Sequence, residues 1–293
     1  MASKPTQQTG AVLSLLLAAT LWGLLWYPLR LIQGGGLGGI WTTLTAYAAA
    51  FVPGVACAWS RRTELARNPW LLLALLLAAG WCNVSFIIAV LEGTVVRVVL
   101  LFYLSPVWTV LLGRIFLGER LSRLSLLVLA LALSGAMLML WDPAIGLPWP
   151  QNTADWLAIS AGLAFSVSNV LVRAMQRVSI PVKTVTAWAG GVVVGLLWVS
   201  AAGNPPPQVG VGVWVAAVAL GLFGIVVMTA ATQYGVTHMP LHRSAVILLF
   251  ELVVATASTQ LLTDETMLAR EWLGGLLIVG AALVSSRAAA RES

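Results

Sequence analysis

Charge is what this chain has least of. Of its 293 residues only 9% are Asp, Glu, Lys or Arg, and 60% are apolar. The mean hydropathy is +0.94. A soluble domain of this length needs far more polar surface, so lipid is the solvent for most of the chain. In lipid every backbone N–H and C=O needs an internal partner, which leaves helices or a closed barrel. Barrel strands alternate polar and apolar residues over roughly ten positions. Here the apolar runs are unbroken over about 20 residues, as at 11–32 and 121–141, the length of a spanning helix.

Cysteine and histidine are nearly missing too. Cys57 and Cys82 sit inside apolar runs and form no pattern. His238 and His242 stand four apart, a spacing that suits a metal on a helix. Pro240 divides them and no acidic third ligand follows, so they are expected in a loop and no metal site is expected. No Gly-x-x-x-x-Gly-Lys run occurs, which excludes ATP hydrolysis by a P-loop. An intramembrane enzyme would need paired carboxylates, a Ser–His pair or metal ligands at facing depths, and a channel a ring of pore charge. The sequence offers neither. No cofactor is expected. The expected partners are a small-molecule substrate and the bilayer, with no nucleic acid, and one chain can act as a monomer.

Ten candidate spans lie near 11–32, 37–59, 70–91, 94–113 and 121–141, then 153–175, 183–202, 211–234, 242–262 and 270–290. The first is too long for the apolar part of a secretory signal and more spans follow it, so it reads as a retained helix. Short loops rich in Lys and Arg stay cytoplasmic. With the N-terminus inside, all of the 16 basic residues but Arg30, Arg97 and Arg270 fall on the cytoplasmic side. Asp142, Asp155, Asp264, Glu265 and Glu271 gather outside. Both termini are therefore expected in the cytoplasm.

The two halves resemble each other. At an offset of 145, Leu104-Ser105-Pro106-Val107 falls on Leu249-Phe250-Glu251-Leu252, Glu119 on Asp264 and Gly135 on Gly280. At 143, Trp22 falls on Phe165, Trp26 on Asn169 and Arg30 on Arg173. Each half holds five spans, an odd number, so the second copy enters the membrane the other way up. Secondary transporters built this way bind substrate near the midplane, between the repeats. The expected architecture is an all-α membrane protein of ten transmembrane helices. A tail at 1–10 precedes a first repeat at 11–141, and an external linker at 142–152 leads to an inverted second repeat at 153–290.

On Leu21-Trp22-Gly23, Leu104-Ser105-Pro106-Val107, Leu117-Gly118-Glu119-Arg120-Leu121-Ser122 and Ser134-Gly135-Ala136, the chain resembles the ten-helix EamA-type branch of the drug/metabolite transporter superfamily. Its size and Phe102-Tyr103-Leu104-Ser105-Pro106 bring it nearest the YddG-like aromatic amino acid exporters. The resemblance implies a pseudo-twofold basket of helices around a central cavity. It also implies export of amino acids or related metabolites across the bacterial inner membrane, with a drug or nucleotide-sugar carrier of the same fold as the rival. Phosphates would demand cavity Arg or Lys, and only Arg30, Arg97 and Arg173 border the membrane. Two departures stand out: Glu251 replaces the second-copy Pro, and Phe165-Ser166 replaces Trp-Gly.

Glu251 is the one carboxylate placed near mid-membrane, where a charge costs at least about 2.5–3.5 kcal/mol and tends to face a cavity or a partner. It reads as a protonatable group or an ammonium contact, or as a protonated carboxyl bonded between helices. Of the 14 Trp, most lie at span ends, as an interfacial belt does. Trp22, Trp26, Trp81, Trp108 and Trp188 lie deeper, with Trp22, Trp26 and Arg30 on one face. The substrate-binding candidates are Trp22, Trp26, Asn83, Tyr103, Trp108, Phe165, Asn169, Tyr234 and Glu251. Aromatic faces would stack on substrate or meet an ammonium, and amide and phenol groups would recognise an amino acid backbone. Helix packing is the competing reading for each.

Overall fold

A computed structural model describes residues 5–93, 95–119, 122–141, 150–203, 205–262 and 268–291. Most of these residues are helical and none of them lies in a strand. Nine segments are long and apolar enough to cross a membrane: α1 Gln8–Gly34, α2 Gly39–Ala66, α3 Pro69–Val90, α4 Arg97–Leu117, α5 Arg123–Leu140, α6 Thr153–Ala174, α7 Ile180–Ala202, α8 Val211–His238 and α9 Leu241–Leu262. A further helix, α10, runs Ala269–Arg291. The helices start and stop where local chemistry says they should. Pro69 and Pro181 open α3 and α7 in first-turn positions that need no N–H. Ser122 and Asn152 cap α5 and α6, their side chains accepting from Ser125 N and Asp155 N. Asp142, Asp264, Glu265, Arg120 and Lys4 lie outside the described residues, as does most of the 142–152 linker.

Several helices are not straight, and the reasons differ. Pro28 cannot bond back to Leu24, and α1 breaks at Leu25. The last turns of α2, Trp59–Ala66, tighten to a 3-10 helix. In α4 the helix breaks at Tyr103–Leu104, ahead of Pro106. In α9 it breaks at Leu249 with no proline near. Leu104 and Leu249 are related by the offset of 145, and their torsions are nearly the same, φ −69° and ψ −12° against φ −59° and ψ −16°. Finally, α8 widens to a π-helix over Leu220–Ile225, a form often found at functional sites.

Packing repeats with the same period. The helix α3 packs on α6 and α7, as α8 packs on α1 and α2. The helix α4 packs on α6 as α9 packs on α1, and the pairs α2–α7 and α5–α10 map onto themselves. Small residues allow these crossings. A Cβ on Gly80 of α3 would fall on the carbonyl of Gly190 in α7, and one on Gly221 of α8 would fall on the carbonyl of Ala46 in α2. On α5 and α10, a Cβ on Gly135 would come within 2.6 Å of the Gly274 carbonyl oxygen.

The ends of the bundle differ. At the end where α1 begins, one apolar cluster joins α1, α2, α3, α6, α7, α8 and α9 through residues such as Leu15, Leu75, Val182, Val236 and Leu241. Arg67 of the α2–α3 turn donates to the Arg177 carbonyl there, and Glu64 accepts from Ser179 N. At the opposite end the apolar contacts are divided: beside a cluster of α4, α5, α9 and α10 that reaches Met139 stand two smaller ones. One joins α3, α4 and α6 through Ala89, Val98, Leu101 and Ala158, and the other joins α1, α2 and α8 through Ile32, Leu37 and Ala217. The tryptophans Trp59, Trp70, Trp141, Trp156 and Trp272 are all at least 40% exposed near helix ends, as an interfacial belt requires.

Arg97 and Asp155, read from the sequence as one of three external cations and one of several external acids, form a buried ion pair, Nε to Oδ2 2.7 Å. The same Oδ2 accepts from Gln151 N at 2.8 Å. Removing one partner of such a pair strands the other charge, at about 3–5 kcal/mol. Arg97→Met is therefore expected to lower the thermal unfolding midpoint in detergent strongly. Arg114→Met, at an exposed position of α4, is expected to leave it in place.

Candidate functional site

The breaks in α4 and α9 bring two of the predicted residues into contact. Tyr103, at the α4 break, donates its hydroxyl proton to the Glu251 carboxylate, two residues past the α9 break. Glu251 makes no ion pair with a described residue, and its Oε2 has no described hydrogen-bond partner. The α1 and α6 helices back the two breaks in matching ways. A Cβ on Gly23 of α1 would lie 2.6 Å from the Glu251 carbonyl oxygen, so the missing side chain lets α1 cross α9 at that point. On α6 the counterpart Ser166 donates to the Ser105 carbonyl at 2.8 Å and meets Thr109 Oγ1 at 3.0 Å. The Ser that replaces Gly in the second copy thus ties α6 to the α4 break by a hydrogen bond.

Aromatic rings line one side of this crossing. The Phe102 ring lies 5.7 Å from Tyr103, 5.8 Å from Phe165 and 4.7 Å from Phe86, all edge-on or tilted. Phe102 and Phe86 were not among the sequence candidates. Phe102 was legible as part of Phe102-Tyr103-Leu104-Ser105-Pro106, whereas Phe86 carried no signal. Asn169, one turn beyond Phe165, is 7% exposed and its amide bonds to no described residue. The indole N–H of Trp108 is buried without an acceptor among the described residues.

The other candidates are engaged elsewhere. Trp22 Nε1 reaches Thr232 Oγ1 of α8 at 3.4 Å, and Trp26 Nε1 donates to Ser258 Oγ of α9 at 2.9 Å. Asn83 is spent on structure: it accepts from the Tyr47 hydroxyl at 2.6 Å and donates to the Ala79 carbonyl at 2.7 Å. Tyr234 lies at the end where α1 begins, its hydroxyl 3.4 Å from where a Cβ on Gly10 would sit, its ring 4.3 Å from His238. The two histidines are not in a loop. His238 ends α8 and His242 lies in the first turn of α9, because Pro240 sets only a sharp turn between the helices. No His, Cys, Asp and Glu cluster able to hold a metal occurs among the described residues.

A bundle of membrane-length helices in two matching halves, with broken helices meeting across the middle, defines a multi-pass membrane transport protein. The chain belongs to the EamA-like transporter family, whose model matches it twice, over residues 9–141 and 152–287. The two matches fall one on each half. It is 26% identical to an Archaeoglobus fulgidus protein described as an uncharacterized transporter, over 69% of this chain and 71% of that one. To Protein RarD of Salmonella typhi it is 30% identical over 68% of this chain, spanning 63% of RarD. The Pseudomonas aeruginosa chloramphenicol-sensitive protein RarD matches at 34% identity over 42% of this chain and 38% of its own length. A solved structure, described only as the crystal structure of a protein, shares the fold. Its TM-score is 0.78 at 20% identity, over 95% of this chain and 98% of that chain.

Proposed function

We propose that this protein exports small amphiphilic metabolites, aromatic and other neutral amino acids foremost, from the cytoplasm across the inner membrane. It does so by alternating access, through a cavity between two inverted five-helix repeats, 11–141 and 153–290, with both termini cytoplasmic. The observation that carries this reading is the pair Tyr103 and Glu251, one from each half, meeting where two helices break. A carboxylate with one oxygen uncommitted suits a substrate ammonium, and the rings of Phe102 and Phe165 beside it suit an apolar or aromatic side chain. The exchange of contacts between α3 and α8, and between α4 and α9, supports the repeat. The asymmetry of the two ends supports a conformation closed at the N-terminal end and opening at the other. Energy comes from the substrate gradient or from proton exchange at Glu251.

The name of one relative, a chloramphenicol-sensitive protein, favours a drug or nucleoside-sized cargo as the second reading. Efflux separates the two. Cells preloaded with labelled phenylalanine and expressing the protein are expected to lose label several-fold faster than cells expressing Glu251→Gln. Equal loss of phenylalanine, with faster loss of chloramphenicol or a nucleoside, would favour the second reading over the first.

A further inference from the structure

A second charge cluster lies apart from the Tyr103–Glu251 pair, at the end where α1 begins. There α9 starts at Leu241 behind Pro240, with no side-chain cap of its own. Its first N–H is capped instead by the other half of the molecule. Glu119, just past α4, accepts from Leu241 N through both carboxylate oxygens, at 2.9 and 3.1 Å. A carboxylate at a helix N-terminus is favoured by the unpaired N–H groups and the dipole. The same carboxylate lies 3.7 Å from Arg173 Nε at the end of α6 and 3.5 Å from His242 Nδ1.

The partners of Glu119 are themselves held. Arg173 Nη1 donates to the Thr237 carbonyl at 2.6 Å, in the last turn of α8. Lys183 is wholly buried at the start of α7, donating to the Thr237 hydroxyl at 2.6 Å and the Val172 carbonyl at 3.0 Å. One carboxylate of the first half therefore fastens α6, the α8–α9 turn and α9, all of the second half. Around it lies the apolar cluster that closes this end. At the opposite end Arg30, the counterpart of Arg173 at the offset of 143, is exposed and pairs with no described residue.

We propose that Glu119 is the latch that keeps the N-terminal end shut, and that each transport cycle must release it. The proposal rests on the alternating-access reading above. To open this end, α4 must part from α6 and α9, and the hydrogen bonds and ion pairs of the Glu119 carboxylate span that seam. Incoming water solvates the freed carboxylate, guanidinium and N–H groups in turn. The two states are thereby kept close enough in free energy for one side chain to tip them.

Accessibility tests this without knowledge of the substrate. In a background with Cys57→Ser and Cys82→Ser, two reporters are labelled separately with a membrane-impermeant maleimide in vesicles of each orientation. Asn169→Cys lies one turn from Arg173 on the same face of α6, beneath the latch. Leu104→Cys lies at the α4 break and reports from the opposite end. Glu119→Ala is expected to raise labelling at the Asn169→Cys reporter from the N-terminal face about tenfold, and to slow labelling at the Leu104→Cys reporter from the other face. Glu119→Gln, which keeps an acceptor for Leu241 N, and Arg173→Gln should give smaller shifts of the same sign, and they carry the test if the alanine variant does not fold. Unchanged labelling at both reporters in folded Glu119 and Arg173 variants would overturn the latch. A Leu104→Cys reporter unlabelled from both faces in the parent would instead refute the alternating-access reading.

Discussion

Replacing Glu251 with Gln is expected to cut the initial rate of transport by about tenfold or more, while leaving the protein folded. The amide keeps the size of the carboxyl and still accepts from the Tyr103 hydroxyl, so helix packing at the two breaks survives. What is lost is the negative charge. A hydrogen bond to a charged group is worth about 1.5–3 kcal/mol, so a substrate ammonium bound there should lose about ten- to hundredfold in affinity. If Glu251 also exchanges a proton with each cycle, the dependence of flux on pH should flatten in the variant. Tyr103→Phe removes only the neutral donor, worth about 1 kcal/mol, and should weaken transport by several-fold. A Glu251→Gln protein that transports at the wild-type rate at every pH would reduce the carboxyl to a bond between helices.

Widening Gly190 is expected to force two helices of the fold apart. At the α3–α7 crossing a Cβ on Gly190 falls on the carbonyl oxygen of Leu76, and one on Gly80 falls on the carbonyl of Gly190. Backbone cannot swing aside as the tip of a side chain can, so the helices must part. Overpacking costs about 1–3 kcal/mol and occasionally more, and Gly190→Val should lower the unfolding midpoint by roughly 5–10 °C. Gly221→Val, at the matching α8–α2 crossing, should behave alike. Gly212→Val is the control: nothing lies within 4 Å of a Cβ there, and its midpoint should not move. Equal midpoints for Gly190→Val and Gly212→Val would mean that the close crossing contributes nothing to stability.

The spans were the most legible part of this molecule, because a run of about 20 apolar residues has few uses other than crossing lipid. Expected edges such as 153–175 and 242–262 fall within a residue of Thr153–Ala174 and Leu241–Leu262. Span four, expected at 94–113, begins as a helix at Val95 and runs on to Leu117, and it carries Arg97, which Asp155 satisfies. That pairing joins residues 58 apart in sequence, and no local pattern announces it. The break in α4 was legible from Pro106. The break in α9 was not, since Leu249 has neither Pro nor Gly beside it, and only its alignment with Leu104 gives it a reason.

The candidate site was legible by residue type and less so by partnership. Tyr103 and Glu251 each stood out, one in a repeated motif and the other as a carboxylate deep in an apolar span. Asn83 stood out equally, yet its amide is consumed by Tyr47 and Ala79. A polar side chain in a helix looks the same in sequence whether it binds substrate or a neighbouring helix. The Glu119 cluster was missed for a related reason. Its motif, Leu117-Gly118-Glu119, read as a family mark at a helix end, and its partners Arg173, Leu241 and His242 are gathered only by the fold.

The measurement that bears most directly on the whole account is flux through the purified protein. Reconstituted in liposomes, it should take up labelled tryptophan saturably. Excess phenylalanine should block that uptake, and threonine or methionine should do so less well. A nucleoside or a cationic drug should have little effect, and Glu251→Gln should abolish most of the flux. Uptake no greater than in empty liposomes, from protein shown to be folded, would contradict the assignment of aromatic amino acids as cargo.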